Sequence, residues 1–301
     1  MDSHVNIARI LQDKNFQSSD INDYVELLKP RVMSLAVFTA VIGMLLVPTL
    51  PHPVLALFSV IAIGVGAGAA GAINMWYDRD IDALMERTKF RPLPSKRVNP
   101  SEALTLGIVL SMFSILILSF SASYLAASFL LLSILFYIFV YTIWLKRTTV
   151  QNIVIGGAAG ALPPVIGWFA AFGEFNLFPL ILFLIIFLWT PPHFWALCLY
   201  RSDDYKKAKV PMLPVVAGKA KTRLYILLYS LSLVSIVPFP WIFGYLGHLY
   251  LIFSSFLSFI FLYYAWCTYK NLEGFAPRLF KYSILYLFLL FLLMPIDKFI
   301  L

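Results

Sequence analysis

Charge is what this 301-residue chain has least of: Asp, Glu, Lys and Arg together make up 13% of it. Soluble domains carry nearer 25%, so an ordinary water-facing surface cannot be built from this sequence. Cysteine is almost missing, with only Cys198 and Cys267, both inside apolar runs. That excludes a disulfide scaffold and a thiolate metal site, and leaves two small apolar groups for packing. Strict apolar–polar alternation is missing too, which excludes the strands of a membrane barrel. The first 30 residues hold no apolar run of signal-peptide type. They read as a tail with a short amphipathic stretch, not as a cleaved leader.

What the chain has instead is oil. Hydrophobic residues fill 61% of it, and the mean hydropathy is +0.85. Nine Leu- and Phe-rich segments approach the roughly 20 residues that span a bilayer core: 32–48, 54–77, 102–120, 124–145, 151–172, 177–199, 224–243, 249–269 and 280–297. The expected architecture is all-α: a polytopic integral membrane protein with nine transmembrane helices in one bundle spanning 32–301. Residues 1–31 form a cytoplasmic tail in this reading.

The formal net charge of +8 would fit a nucleic-acid partner, but its placement argues for a lipid bilayer instead. With nine spans and the N-terminus inside, 22 of the 23 Lys and Arg residues fall on one side, and only Lys298 falls on the other. The positive-inside rule asks for that asymmetry. The expected location is the cytoplasmic (inner) membrane, multi-pass, with a cytoplasmic N-terminus and no nucleic-acid partner. Two inner loops, 78–101 and 200–223, are long and charged, whereas the outer connections are short and nearly neutral. Polar groups kept against their cost mark function, so an active-site cavity is expected on the cytoplasmic side.

The segment from Asn74 to Glu86 is the most informative. Asn74, Asp78, Asp82 and Glu86 recur every four residues. Each such step turns about 40° around a helix and rises about 6 Å, so the side chains form one oxygen-bearing stripe. Carboxylates so spaced repel one another unless a cation sits among them. Oxygen ligands of this kind suit Mg²⁺, which keeps several waters and takes one or two carboxylates plus substrate phosphates. Arg87, Lys89 and Arg91 follow at once and can grip a diphosphate. A solvated helix end is the plainer reading of a lone D-x-x-x-D. The second loop again sets acids beside bases where a helix leaves the membrane, in Arg201, Asp203, Asp204, Lys206 and Lys207. There the carboxylates either serve chemistry or merely balance their neighbours.

The stripe N-x-x-x-D-x-x-x-D at Asn74–Asp82 resembles the first metal–diphosphate motif of the intramembrane UbiA-type prenyltransferases. The run NMWYDRDIDALMERTKFRPLPSKRV (74–98) resembles their protohaem IX farnesyltransferase branch, as do YTIWLKRTTVQNIVIGGAAGALPPVIGW (141–168), WTPPHFWALCLYRSDDY (189–205) and VPMLPVV (210–216). The likeness covers essentially the whole chain after about residue 24. It implies that farnesyl diphosphate binds with Mg²⁺ and ionises, and that the allylic cation adds to a vinyl group of haem B. Water capture then gives haem O, for hand-over to haem A synthase or a terminal oxidase. Carried over by position, Asn74, Asp78 and Asp82 would bind the metal–diphosphate, and Asp204 would be the acid of the second motif. Arg87, Lys89, Arg91, Lys146, Arg147, Arg201 and Lys207 would hold diphosphate or haem propionates. One departure stands out: Ala208 follows Asp204 by four residues, and Lys207 follows Asp203, so the second motif is not doubly acidic.

His193 lies inside the sixth segment and has two readings, a ligand to haem iron or an interhelical hydrogen bond. Gly64, Gly66, Gly68 and Gly71 mimic a dinucleotide fingerprint, but no soluble strand precedes them, so close helix packing is expected. The pairs Pro163-Pro164 and Pro191-Pro192 are expected to kink spans five and six beside a cavity. Two rival functions stay open: prenylation of an aromatic quinone precursor, and cation transport through Asp78 and Asp82. A transporter site usually lies near the midplane, whereas these carboxylates lie at a membrane edge beside bases.

Overall fold

A computed structural model of the protein describes residues 19–300, all helix and connection with no strand among them. Residues 1–18 of the expected tail lie outside the described residues. Twelve helices follow one another: α1 Ile21–Leu27, α2 Pro30–Leu45, α3 Pro53–Leu84, α4 Pro100–Ser121, α5 Tyr124–Thr148, α6 Asn152–Ala171, α7 Leu177–Tyr200, α8 Ser202–Lys207, α9 Leu213–Val216, α10 Lys219–Ile242, α11 His248–Tyr269 and α12 Phe275–Ile300. Eight of them are long and apolar enough to cross a bilayer, and the pair α1/α2, bent by 54°, supplies a ninth candidate span. The expected count of nine is met when that broken pair is taken as one span.

Their starts are written in local chemistry. Asn99, Ser123 and Asn176 cap α4, α5 and α7 by accepting backbone N–H groups, and proline at the first position opens α2, α3 and α4. The helices alternate in direction. Thus Pro30, Leu84, Pro100, Thr148, Tyr200, Lys219 and Tyr269 all fall at one end of the bundle, called here the acidic end. Lys298 is the one Lys or Arg near the opposite end among the described residues.

The bundle closes through α2, which packs on α3, α6 and α12, and through α7, which packs on α6, α10 and α12. Glycine makes the α2–α6 crossing possible. A Cβ on Gly43 would collide with the carbonyl of Pro164, and one on Gly167 with the carbonyl of Ala40. Two backbones touch where neither side can carry a side chain. The glycines of α3 serve the same end, Gly66 against Ser114 and Leu130, and Gly68 against Met33. The two proline pairs part company: α6 breaks at Leu162 before Pro163, whereas α7 runs unbroken through Pro191-Pro192.

Residues 21–31, placed in a tail by sequence, are docked on the bundle. Arg97 of the α3–α4 loop holds both Asp23 and Glu26 of α1, and the Tyr24 hydroxyl donates to Glu102 at 2.7 Å. Docking of α1 is what brings the next residues, Leu28 and Lys29, to the face of α3.

Candidate active site

The 32 residues of α3 carry the helix past the apolar run to Leu84, so Asn74, Asp78 and Asp82 project from one face of regular helix. All three are buried, at 3%, 1% and 3% exposure, where unpaired carboxylates are costly. Glu86 is not part of the row. The helix ends before it, and Glu86 sits in solvent paired with Lys89 at 2.6 Å. That ion pair, with a smaller contribution from Lys207, holds its carboxyl below the usual range.

Each member of the stripe is met by its own cation. Lys29 Nζ donates to Asn74 Oδ1 at 2.6 Å, Lys146 Nζ pairs with Asp78 Oδ2, and Arg91 Nη1 pairs with Asp82 Oδ2 at 2.7 Å. Asn74 spends its amide protons on Asp78 Oδ2 at 2.8 Å and on Thr142 Oγ1 at 3.0 Å. Thr88 donates to the Asp82 carbonyl at 2.9 Å, tying the following loop to the helix end. Arg147 forks onto Asp80 at 2.8 and 2.7 Å, donates to the Tyr77 carbonyl and lies over the Tyr77 ring. It reaches Asp78 Oδ1 only at 3.6 Å, so that buried oxygen has no hydrogen-bond partner.

Below the stripe opens an apolar cavity of about 280 Å³ between α2, α3, α5, α6 and α7. Ala67, Ala70, Gly71, Ile134, Ile153 and Ile166 are among the residues that line it. Tyr137 and Tyr141, stacked at 5.4 Å between centroids, stand on its wall. They lie in a stretch of α5, Phe136–Leu145, wound as a π-helix, with Thr142 Oγ1 donating to the Tyr137 carbonyl at 2.8 Å. Such wide turns cluster at functional sites. Here one turn points Thr142 at the stripe and the two phenols into the cavity. Gly156 of α6 makes room, since any Cβ there would strike the Tyr141 ring.

The remaining expected residues are placed unevenly. Asp204 is buried in α8 with Oδ2 unpartnered, so it too offers a free oxygen. Its neighbour Tyr205 is buried, which pushes its phenol up, and the Arg87 guanidinium lies close by, linking the two charged loops. Arg201 and Lys207 are exposed at the rim, Arg201 over the ring of Tyr200. His193 is apart from the stripe. Its Nδ1 shares a 2.6 Å hydrogen bond with Ser283 of α12, and its ring lies between Trp189 and Phe280. The interhelical bond is thus present, and Nε2 is the nitrogen left for any iron. Sequence reasoning missed Lys29, which it left in the tail. Its one available signal was the dipeptide Lys29-Pro30 just before an apolar run.

Lys29 is also strained. Its φ of 53° and ψ of 53° are left-handed, for a side chain that is not glycine and that precedes proline. Such a conformation costs on the order of 1–3 kcal/mol and persists only where surrounding structure imposes it.

Chemically, the stripe can hold one hard cation. Asn74 Oδ1, Asp78 Oδ1 and Asp82 are oxygen donors, while no group of three His, Cys, Asp or Glu side chains converges among the described residues. An ion here would lack a full protein cage, and would draw the rest of its shell from phosphate and water. That is the habit of Mg²⁺ in phosphate sites.

The description "UbiA prenyltransferase family" matches residues 36–292. Two relatives named protoheme IX farnesyltransferase are close in sequence. The one from Afipia carboxidovorans is 56% identical, over 92% of this chain and 90% of its own length, and the one from Beijerinckia indica is 52% identical over 94% and 90%. In fold, the chain resembles a digeranylgeranylglyceryl phosphate synthase with a TM-score of 0.77 at 21% identity, covering 93% of this chain and 99% of the other. It also resembles a UbiA homologue from Archaeoglobus fulgidus bound to DMAPP and Mg²⁺, with a TM-score of 0.70 at 16% identity over 90% and 99%.

Proposed function

Because the chain belongs to the UbiA prenyltransferase family, we propose that it moves a farnesyl group from farnesyl diphosphate onto a vinyl group of haem B. Water is added and diphosphate released, so the product is haem O. The observation that carries the reading is the junction of a buried acidic stripe with an apolar cavity, in a chain over half identical to named protoheme IX farnesyltransferases. Family membership sets cation transport aside.

The residues divide the work as follows. Asn74, Asp78 and Asp82 hold Mg²⁺, which when bound neutralises charge on the phosphate oxygens. Lys146, Arg147 and Arg91, already at the stripe, supply the positive charge that receives the diphosphate. Arg87, Lys89, Arg201 and Lys207 ring the mouth, where the diphosphate and the haem propionates arrive. Asp204, with its free buried oxygen, orients partners from the second loop. The farnesyl chain lies in the apolar cavity. The C1–O bond breaks with its electron pair going to the diphosphate, and the faces of Tyr137 and Tyr141 stabilise the allylic cation while excluding water. The vinyl group adds its electrons to that cation. Water takes up the charge that results and loses a proton to solvent.

His193 meets the haem through Nε2, its tautomer fixed by Ser283. The His193→Ala variant should then shift the visible absorption band of added haem, and an unmoved band would remove His193 from the haem site. The acidic end faces the cytoplasm across the inner membrane, and haem O passes on to haem A synthase or a terminal oxidase.

The decisive experiment incubates membranes holding the protein with haem B and farnesyl diphosphate, with and without Mg²⁺. Chromatography and mass spectrometry should find a Mg²⁺-dependent haem heavier by one farnesyl group and one hydroxyl. Intact haem beside a folded protein would overturn the assignment, and aromatic quinone precursors would be tried next.

A further inference from the structure

The apolar cavity and the acidic stripe share one residue that no motif assigned. Lys29 is the only charged side chain on the cavity wall among the described residues, and it is also the donor to Asn74 Oδ1. It therefore marks the boundary between polar and apolar space. A prenyl diphosphate has one such boundary of its own, the C1–O bond: phosphates lie on one side of it and hydrocarbon on the other. A substrate with its phosphates at the stripe and its chain in the cavity has that bond beside Lys29.

The contact in the present state points the same way. Lys29 Nζ holds the oxygen of Asn74 that a metal would need. Lys146 and Arg91 likewise hold Asp78 and Asp82. The arriving metal–diphosphate offers each group a new partner, the metal for the oxygens and the phosphates for the cations. The left-handed backbone before Pro30 aims Lys29 inward at the expense of local comfort, as strained residues at functional sites do.

We propose that Lys29 is a diphosphate-binding catalytic residue, which leaves Asn74 as the metal–diphosphate enters and donates to the oxygen that departs from C1. As that bond breaks, the electron pair stays on the diphosphate oxygen, and the ammonium stabilises it by a hydrogen bond without giving up its proton. This role rests on the prenyl-transfer reading given above.

The test uses the full-length protein in detergent, titrated calorimetrically with inorganic diphosphate in the presence of Mg²⁺. Lys29→Gln and Lys29→Gly should each weaken binding roughly tenfold, the loss of one charge-assisted hydrogen bond, while Lys29→Arg stays near wild type. Glycine accepts this φ freely, so Lys29→Gly separates loss of the cation from loss of the fold. In turnover the same two variants should lower kcat as well as raise KM for farnesyl diphosphate. Wild-type binding by both neutral variants would overturn the role of Lys29 alone. A wild-type protein that binds no diphosphate would overturn the prenyl-transfer reading with it.

Discussion

Two buried aspartates at opposite ends of the bundle show how differently one side chain can be used. Asp297, fully buried in α12, accepts from the backbone N–H of Gly247 at 2.5 Å and of Tyr250 at 2.8 Å, so each oxygen has a fixed partner. Its neighbour Lys298 donates to the carbonyls of Leu45 and Val47, and together they clasp the start of α11 and the end of α2. Asp78 is as deeply buried, yet Oδ1 has no partner, and its charge is met by the long side chains of Lys146 and Arg147. Backbone partners cannot leave, but lysine and arginine can. A satisfied carboxylate on backbone is a clamp, and a half-satisfied one held by mobile cations is a place for a ligand.

That contrast can be broken experimentally, most forcefully at the stripe. Asp78→Asn and Asp82→Asn should each lower turnover roughly 10²–10³-fold, the scale of losing one preorganised electrostatic group. Their melting temperatures in detergent should stay close to wild type, since each substitution keeps the shape of the side chain. A large loss of stability with activity retained would reverse the comparison. Asp297→Ala should do the opposite, costing about 3 kcal/mol by stranding two backbone N–H groups. Activity per folded molecule, measured after removing aggregate, should not change.

Smaller effects are expected where packing or surface charge alone is involved. Gly167→Ala should cost about 1–3 kcal/mol, because its methyl group would meet the Ala40 carbonyl and push α2 off α6. Thermal unfolding would detect it, and an unchanged midpoint would show that the crossing can open freely. Glu26→Ala should cost the least, about 0.5–1 kcal/mol, since its pair with Arg97 lies partly in solvent. Limited proteolysis near α1 is the measurement that would report its loosening.

Much of this was legible in the chain. Apolar runs of bilayer length placed the spans, and the four-residue spacing placed Asn74, Asp78 and Asp82 on one face of a helix. Both signals are periodic and local, so they survive without tertiary knowledge. Glu86 shared the spacing but not the helix, because spacing does not reveal where a helix stops. Lys29 was illegible for a different reason. Nothing near it in sequence is acidic except on α1, and its partner Asn74 lies 45 residues away. The π-helical turn of α5 was equally hidden: its residues read as an ordinary apolar helix, and the extra width appears only through Thr142 and the Tyr137 carbonyl.

Composition and periodicity alone determined that this chain lives in a bilayer as a helical bundle with its charge at one end, since hydrocarbon leaves a backbone few other choices. The tertiary structure decided which charges meet. Ion pairing depends on distances between helices, and those are set by where glycine lets two backbones touch and where a loop folds back. So it was the fold that assigned a cation to each oxygen of the stripe, and that set Lys29 between the acids and the apolar cavity.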